Sequence, residues 1–261
     1  MIYDLQKGSL LKRASAFLLD GIILVILVTG FAFALSGLFH YGTYADRYSA
    51  GMDYYAKQYN VDFDSIVTEA DYNALSDQEK QNYEAVIDAM NNDPELLHAL
   101  NMIVSIIVLV VSISTVFAFA VVEFILPLIL KNGQTVGKKI FGLAVMRTNG
   151  VRIRGVSLFI RTFLGKCIIE TMIPVLIIMM VIFNMMGIMA SPGILGLVFL
   201  AALLIGQLIL LFATKTHAMI HDKISDCVVV DMSSQMIFDS EQARNDYIAE
   251  QDAREAASSP Y

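Results

Sequence analysis

The chain alternates between long apolar runs and stretches that hold most of its charged residues. Four apolar runs cover residues 14–39, 102–130, 167–189 and 194–213. A helix needs about 20 mostly apolar residues to cross a bilayer, and each run reaches that length. The pattern predicts an all-α integral membrane protein with four transmembrane helices. We expect the first run to be retained, because it is too long for a signal peptide and Asp20 interrupts it.

The composition favours the same class of protein. Of the 261 residues, 56% are hydrophobic and only 16% are charged. A soluble globular chain has about 25% charged residues. The composition therefore argues against a water-soluble enzyme.

The charges between the apolar runs predict the orientation in the membrane. Residues 40–100 contain twelve Asp or Glu and three Lys or Arg, whereas residues 131–166 contain eight Lys or Arg and no acid. Because Lys and Arg mark the cytoplasmic side, we expect both termini in the cytoplasm and the acidic segment outside. We also expect the plasma membrane as the location. Cys167 and Cys227 then face the reducing side, where free thiols are expected.

The acidic segment, residues 40–100, is predicted to form an external helical insert of two or three amphipathic helices. The sequence Ser-Asp-Gln-Glu at residues 76–79 fits a capping box at a helix start. Asp93 followed by Pro94 fits the start of a helix that continues into the second span. The insert is either a partner-binding surface or a solvated acidic loop, and the sequence leaves both open.

The basic segment, residues 131–166, is predicted to hold a short cytoplasmic β-hairpin and an interfacial helix. Asn149 and Gly150 lie between two short runs and favour a tight hairpin turn. The following residues place apolar side chains on one helical face, which suits a helix at the inner leaflet. The C-terminal segment, residues 214–261, ends in an acidic stretch that is predicted to be a mobile tail.

Three carboxylates interrupt the predicted spans: Asp20, Glu123 and Glu170. A charge inside a bilayer needs a partner, a proton or water, so these residues are candidates for a functional site. Counted from the flanking Lys and Arg along helices that rise about 1.5 Å per residue, all three lie in the cytoplasmic half of the bilayer. Arg13 lies two turns before Asp20 on nearly the same face, and we expect the two to pair.

Basic residues near these carboxylates predict a polar cluster that opens to the cytoplasm. Arg161 and Lys166 are expected to face the carboxylates together with Arg13. Two interpretations remain open. The cluster either binds an ion or a proton, or its members are packing ion pairs without a substrate.

Three segments resemble the RDD family of multi-pass membrane proteins. "KRASAFLLDGIIL" is similar to the family's Arg-then-Asp first helix, "GQTVGKKIFGLAVMRTNGVRIRGVSLFIR" to its Gly-Gln-Thr-x-Gly-Lys segment, and "HDKISDCVVV" to its terminal His-Asp element. The resemblance covers residues from about 8 to 39 and from about 120 to 231, and it leaves the insert out. It implies a multi-pass membrane protein whose molecular role is mostly unassigned, although some members are thought to exchange sodium and protons.

The resemblance also implies which residues belong to a site. By position, Arg13 is the family's arginine and Asp20 its first aspartate. Asp222 is its second aspartate, with Asp226 as a rival. The Gly-Gln-Thr-x-Gly-Lys segment implies four supporting residues: Gln134, Thr135, Gly137 and Lys138.

The sequence offers no convincing set of groups for covalent or metal chemistry. His217 and His221 are spaced one helical turn apart, but Ala218 stands where a zinc protease needs a glutamate. We therefore expect no enzymatic activity, no cofactor and no metal site, with the two histidines as weak metal candidates.

Two functions fit these observations. The first is a small transporter or cation/proton exchanger, because carboxylates at partial depth can bind a cation or a proton in turn. The second is a non-transporting adaptor or assembly factor that binds a partner through the insert or the basic face. The expected partners are the lipid bilayer, a small cation or proton, and a second copy of the chain, but no nucleic acid. The candidates for ion or proton binding are Arg13, Asp20, Glu123, Glu170 and Asp222.

Overall fold

The structure is a computed structural model and describes residues 5–188 and 193–258. Within these residues, four helical segments are long and apolar enough to cross a membrane. They are Leu10–Leu38, Pro94–Leu130, Gly155–Met185 and Gly193–Ala213. The chain divides into a sheet unit, residues 1–29 with 114–261, and an insert unit, residues 30–113.

The helices and strands follow one another along the chain. They are α1 (Leu10–Leu38), α2 (Tyr41–Tyr59), α3 (Glu69–Ala74), α4 (Asp77–Asn91), α5 (Pro94–Phe119), α6 (Leu126–Leu130), α7 (Val136–Ile140), β1 (Leu143–Arg147), α8 (Gly155–Phe159), α9 (Ile173–Met185), α10 (Gly193–Ala213), α11 (Ile220–Ile224), β2 (Cys227–Asp231) and α12 (Glu241–Ser258). A π-helical segment, Ala120–Ile125, joins α5 to α6, and another, Ile160–Met172, joins α8 to α9.

Helix α1 has the reverse of the burial pattern expected in water. Its buried residues are Ala16 and Asp20. Large apolar side chains on the same helix are exposed, for example Phe17 at 69% and Phe33 at 83%. A surface helix of a soluble protein turns its apolar face inward. An apolar exterior with a buried carboxylate is instead what a helix surrounded by lipid requires.

A small antiparallel sheet forms the core of the sheet unit. Strand β1 pairs with β2, so that Val145 lies opposite Val229. Both faces of the sheet are buried. One face packs against Ala16 of α1, and the other packs against Leu5 and Ile237. The predicted all-α fold with a short β-hairpin does not pair these two strands, because they lie about 80 residues apart in the chain and neither alone carries a long apolar run.

The prediction that β1 pairs mainly with the next segment of the chain in a β-hairpin is therefore wrong. Asn149 and Gly150 do form a tight turn, and Met146 makes one bridge to Arg152 beyond it. The full ladder of β1 nevertheless runs along β2, where a run of valines offers two buried faces. Local turn chemistry predicted the turn, whereas burial of both faces selects the distant strand.

Two other segments are helical. The interfacial helix is not separate from the third span, because Gly155–Met185 is one continuous helical segment. Its first turns bury Arg161 and Leu158. The C-terminal stretch predicted as a mobile tail contains α12, and Arg244 of this helix donates a hydrogen bond of 2.7 Å to the carbonyl of Asn149.

The insert unit has a core of its own. Val86 and Met90 of α4 and Leu96 of α5 are buried together, and several tyrosines of α2 pack against them. Ser76 and Glu79 form a capping box at the start of α4. Asp93 accepts hydrogen bonds from the backbone N–H groups of Glu95 and Leu96 at the start of α5. Both caps lie where the sequence predicts them.

Candidate functional site

The two π-helical segments carry Glu123 of the second span and the charged residues of the third span. Ala120–Ile125 holds Glu123, and Ile160–Met172 holds Arg161, Lys166 and Glu170. The two segments pack against each other. A π-helical turn contains more residues than an α-helical turn and is frequent at functional sites, since it redirects side chains within a helix. The local helix geometry therefore brings these four charges together inside the sheet unit.

Asp20 lies on the buried face of α1 and is 5% exposed. Its carboxylate accepts hydrogen bonds from the hydroxyl of Thr135 and from the backbone N–H of Gly137, the latter at 2.7 Å. Thr135 is also the N-cap of α7. Glycine is required at position 137, because a Cβ there would collide with the carbonyl oxygen of Ala16 and with the Asp20 carboxylate.

The ammonium group of Lys138 lies between two carboxylates. Its Nζ is 3.8 Å from Oδ2 of Asp20, 3.7 Å from Oε2 of Glu123 and 3.1 Å from Oγ1 of Thr135. Burial disfavours the charged form of a lysine. Burial lowers the pKa of Lys138 to about 8, although the nearby Glu123 and Asp20 act in the opposite direction.

Only one oxygen of Glu123 accepts a hydrogen bond from the described residues. Its Oε1 accepts a hydrogen bond of 2.5 Å from Nζ of Lys166. Its Oε2 is buried and accepts no hydrogen bond from any residue within 5–188 and 193–258. A buried oxygen without a hydrogen bond is costly and uncommon in folded proteins. We call Asp20, Glu123, Thr135, Lys138 and Lys166 the Lys138 cluster.

A second group of buried charges surrounds Asp222 in the short helix α11. Arg161 donates two hydrogen bonds to Oδ1 of Asp222, from Nε at 3.0 Å and from Nη2 at 2.8 Å. Nη2 of Arg13 lies 3.4 Å from Oδ2 of the same carboxylate. Although burial opposes ionisation, the nearby positive charges of Arg161 and Arg13 hold the pKa of Asp222 well below its usual range.

Glu170 joins this second group through His221. Nδ1 of His221 lies 2.7 Å from Oε2 of Glu170, and the backbone N–H of His221 donates to Oε1 at 2.9 Å. Burial lowers the pKa of His221, although Asp222 acts in the opposite direction. The third span reaches α11 closely at Gly165, where a Cβ would collide with Cβ and Cα of His221. We call Arg13, Arg161, Glu170, His221 and Asp222 the Asp222 cluster.

The structure brings all five candidates for ion or proton binding into these clusters, but it divides them. The expected pairing of Arg13 with Asp20 is wrong. Arg13 contacts Asp222 and donates a hydrogen bond of 3.3 Å to the carbonyl of Thr216. Two helical turns separate Arg13 from Asp20 by about 10 Å. The backbone at Gly137 comes much closer to Asp20 and takes the place of the arginine as hydrogen-bond donor.

The supporting residues divide in the same way. Thr135, Gly137 and Lys138 contact Asp20 or Glu123, as described above. Gln134 lies outside both clusters and donates a hydrogen bond of 2.7 Å to the carbonyl of Leu143, which positions the start of β1. Asp226, the rival to Asp222, has a left-handed backbone and contacts Thr148 at the surface. The buried site therefore contains Asp222 and not Asp226.

The two histidines do not share a helical turn. Helix α11 begins at Ile220, and His217 lies before it with a left-handed backbone at a φ of 50°. Nδ1 of His217 is 2.8 Å from the carbonyl of Leu211. No group of three or more His, Cys, Asp or Glu that could hold a metal ion occurs in the described part of the chain.

Sequence reasoning missed two hydroxyl groups that hold the clusters in place. Thr162 donates to the carbonyl of Glu123 at 2.7 Å, and Ser225 donates to the carbonyl of His221 at 2.7 Å. Both groups bond to main-chain atoms in the turns that carry the charges. Their signal in the sequence is only a small polar residue near a charged one, which is common on any helix surface.

These features define a class of protein. Four apolar helices and a buried network of ion pairs are typical of a polytopic membrane protein. The sequence model of the RDD family matches residues 7–226, which include the insert. The chain belongs to the RDD family. Searches of curated proteins and of solved structures find no match to it.

Proposed function

We propose that the protein is a small plasma-membrane transporter that exchanges a monovalent cation for protons at the Lys138 cluster. The observation that supports this function is the incomplete pairing of two buried carboxylates. Asp20 and Glu123 share Lys138 at distances beyond a hydrogen bond, and one oxygen of Glu123 has no donor among the described residues. A carboxylate in such surroundings can take up a cation or a proton in turn.

The charge pattern of the sequence predicts the side of the membrane from which ions reach the cluster. The Lys138 cluster takes Thr135, Lys138 and Lys166 from the basic segment, residues 131–166. The excess of Lys and Arg in this segment favours the cytoplasm for this side. Ions then reach the cluster from the cytoplasm. Four helices are few for alternating access, so the proposal includes a second copy of the chain. It assigns no enzymatic activity to the protein.

Transport across sealed vesicles tests the function. Purified protein is reconstituted, an inside-acidic pH gradient is imposed, and sodium, potassium or lithium is added outside while an internal dye reports pH. We expect at least one cation to dissipate the gradient faster than in protein-free vesicles. Wild-type protein that never exceeds protein-free vesicles would remove the exchanger from consideration.

A matched pair of variants shows whether Asp20 carries the transport. Asp20→Asn removes a buried carboxylate of the cluster, whereas Asp226→Asn removes an exposed one near the same cytoplasmic side. We expect Asp20→Asn to reduce cation-driven proton flux at least about tenfold, since the charge that would bind the cation is gone. Asp226→Asn should transport like wild type. Equal flux from both variants would place the transport site elsewhere.

A second function, partner binding by the insert, is favoured by one observation. The insert unit packs its own core from α2, α4 and the start of α5, which a solvated loop would not need. We propose that this unit is a docking domain for another protein, in addition to or instead of transport. Replacing residues 41–92 with a short Gly/Ser linker separates the two functions. Unchanged cation-driven flux together with the loss of a co-purifying protein would assign the insert to docking, and lost flux in a correctly inserted protein would assign it to transport.

A further inference from the structure

Three oxygens converge on the Lys138 ammonium group in a way that resembles the coordination of a bound cation. Thr135 accepts its hydrogen bond at 3.1 Å, and oxygens of Glu123 and Asp20 follow at 3.7 and 3.8 Å. All three residues are less than 10% exposed. The Glu123 oxygen is Oε2, which accepts no hydrogen bond from the described residues. Lys138 thus fills a pocket of oxygen atoms without forming a tight ion pair.

The charges around the Lys138 ammonium group determine which ion could take its place. If the ammonium group leaves, Asp20 and Glu123 contribute two negative charges. Lys166 remains bound to Glu123 and neutralises one of them. Arg161 is matched by Asp222 in the neighbouring cluster. One negative charge is left over, which suits one monovalent cation better than a divalent ion.

Lys138 is also the charged residue most able to leave. Its ammonium group ends a flexible four-carbon stem, and helix α7 that carries it has only five residues. Both carboxylates hold it beyond hydrogen-bonding distance. Arg161, by contrast, is a planar group fixed by two hydrogen bonds to Asp222. Removing Lys138 from its place therefore breaks fewer close contacts than removing Arg161.

We infer that Asp20, Glu123 and Thr135 form a binding site for one monovalent inorganic cation, and that the Lys138 ammonium group occupies this site as a tethered competitor. The inference rests on the proposed function, because it names the ligands and the competing group of the same site. An incoming cation binds when the lysine side chain swings out, and the lysine returns when the cation departs. The two positive charges exclude each other from one small space.

Neutral replacements of Lys138 test the inference by binding rather than by transport. Lys138→Met and Lys138→Gln remove the competing charge, and the glutamine keeps a polar group near Thr135. Lys139→Met removes the adjacent, exposed charge and is the matched control. Binding of radioactive sodium to purified protein is measured by equilibrium dialysis at constant ionic strength, with choline replacing sodium. The double variant Lys138→Met with Asp20→Asn tests the ligand assignment.

We expect the Lys138→Met and Lys138→Gln proteins to bind sodium at least about tenfold more tightly than wild type, because a positive charge about 4 Å from both carboxylates is gone. Lys139→Met should bind like wild type, and the double variant should lose the gain. A gain in affinity supports the site even if wild-type vesicles show no flux, which would remove only the exchanger. Flux in wild type without a gain in either folded Lys138 variant overturns the tethered competitor and leaves the exchanger standing.

Discussion

The Lys138 cluster and the Asp222 cluster contain the same kinds of charge in different arrangements. With His221 neutral, each has two carboxylates and two positively charged side chains. In the Asp222 cluster, one carboxylate is bound by two arginines and the other by a histidine. In the Lys138 cluster, one lysine binds Glu123 closely and the other lies between two acids without a close contact to either.

The difference separates a structural arrangement from an exchangeable one. Arginine presents several donors in a rigid plane, so a buried carboxylate that it binds is both neutralised and fixed in place. Lysine is a point charge on a flexible stem and fixes its partner less well. Equal net charge therefore does not mean equal function. We therefore propose that the Asp222 cluster stabilises the helix packing and that the Lys138 cluster binds ions.

The largest expected change in the free energy of unfolding comes from a substitution that breaks the Asp222 cluster. Asp222→Asn leaves Arg13 and Arg161 buried without their common counter-ion, and loss of one partner of a buried ion pair costs about 3–5 kcal/mol. The buried thiols of Cys167 and Cys227 provide the measurement, because a thiol-reactive fluorophore labels them only as the protein unfolds. The fluorophore reports unfolding in mixed micelles.

Asp226→Asn is the control for this substitution. Asp226 lies four residues later and is exposed, with a side chain that contacts Thr148 and Arg147 at the surface. We expect its loss to change the free energy of unfolding by less than about 1 kcal/mol. If Asp222→Asn proved no more harmful than Asp226→Asn, the Asp222 cluster would not be the structural one.

The next effect concerns the Lys138 cluster. Thr135→Val removes the hydroxyl that donates to Asp20 and caps α7, and a hydrogen bond to a charged group contributes about 1.5–3 kcal/mol. Thr148→Val is the matched control, since Thr148 also donates to a carboxylate but is exposed. We expect Thr135→Val to weaken sodium binding as well as stability, measured by dialysis and thiol labelling. A Thr135→Val protein that is destabilised but binds sodium like wild type would remove Thr135 from the ligand set.

Sequence patterns predicted the parts of this molecule that depend on local composition. Apolar length predicted the four candidate spans, and capping chemistry predicted the starts of α4 and α5. Intramembrane acids directed attention to Asp20, Glu123 and Glu170, all of which are in the two clusters. Each of these predictions needs only residues close together in the chain.

Local sequence patterns could not predict contacts between residues that lie far apart in the chain. Arg13 and Asp20 share a helical face, yet each bonds to a different distant element, because Gly137 admits the α7 backbone to Asp20. The pairing of β1 with β2 and the π-helical turns at Glu123 and Arg161 likewise depend on three-dimensional packing. The family resemblance indicated Asp222, but its two arginine partners required the fold.

A smaller loss of stability is expected from a substitution that changes packing in the Asp222 cluster without changing any charge. Gly165→Ala places a methyl group against Cα and Cβ of His221 in the Asp222 cluster, and overpacking of this kind costs about 1–3 kcal/mol. Gly21→Ala is the control, because a Cβ at that position of α1 meets no atom within 4 Å. We expect thiol labelling to show destabilisation only for Gly165→Ala. Its sodium affinity should remain that of wild type, and a parallel loss of affinity would mean that the two clusters act as one.

The smallest effect comes from an ion pair outside both clusters. Nζ of Lys12 lies 2.6 Å from Oδ2 of Asp231, and the lysine side chain is 44% exposed. Hydrogen bonds from Lys12 and Ser233 lower the pKa of Asp231 to about 2. An exposed pair contributes less than about 1 kcal/mol, so Lys12→Met should lower the free energy of unfolding by no more than that.

The pH dependence of that small effect has a definite sign. An aspartate in an unfolded chain has a pKa of about 3.9, so the folded protein binds its proton less readily than the unfolded chain does. The stabilisation by the Lys12 pair is therefore complete above about pH 4 and disappears as the pH falls through about 2. Wild type and Lys12→Met should converge over this range when their unfolding is followed by tyrosine fluorescence. A difference that persisted below that range would come from packing of the lysine stem and not from its charge, because Asp231 would then be neutral in both proteins.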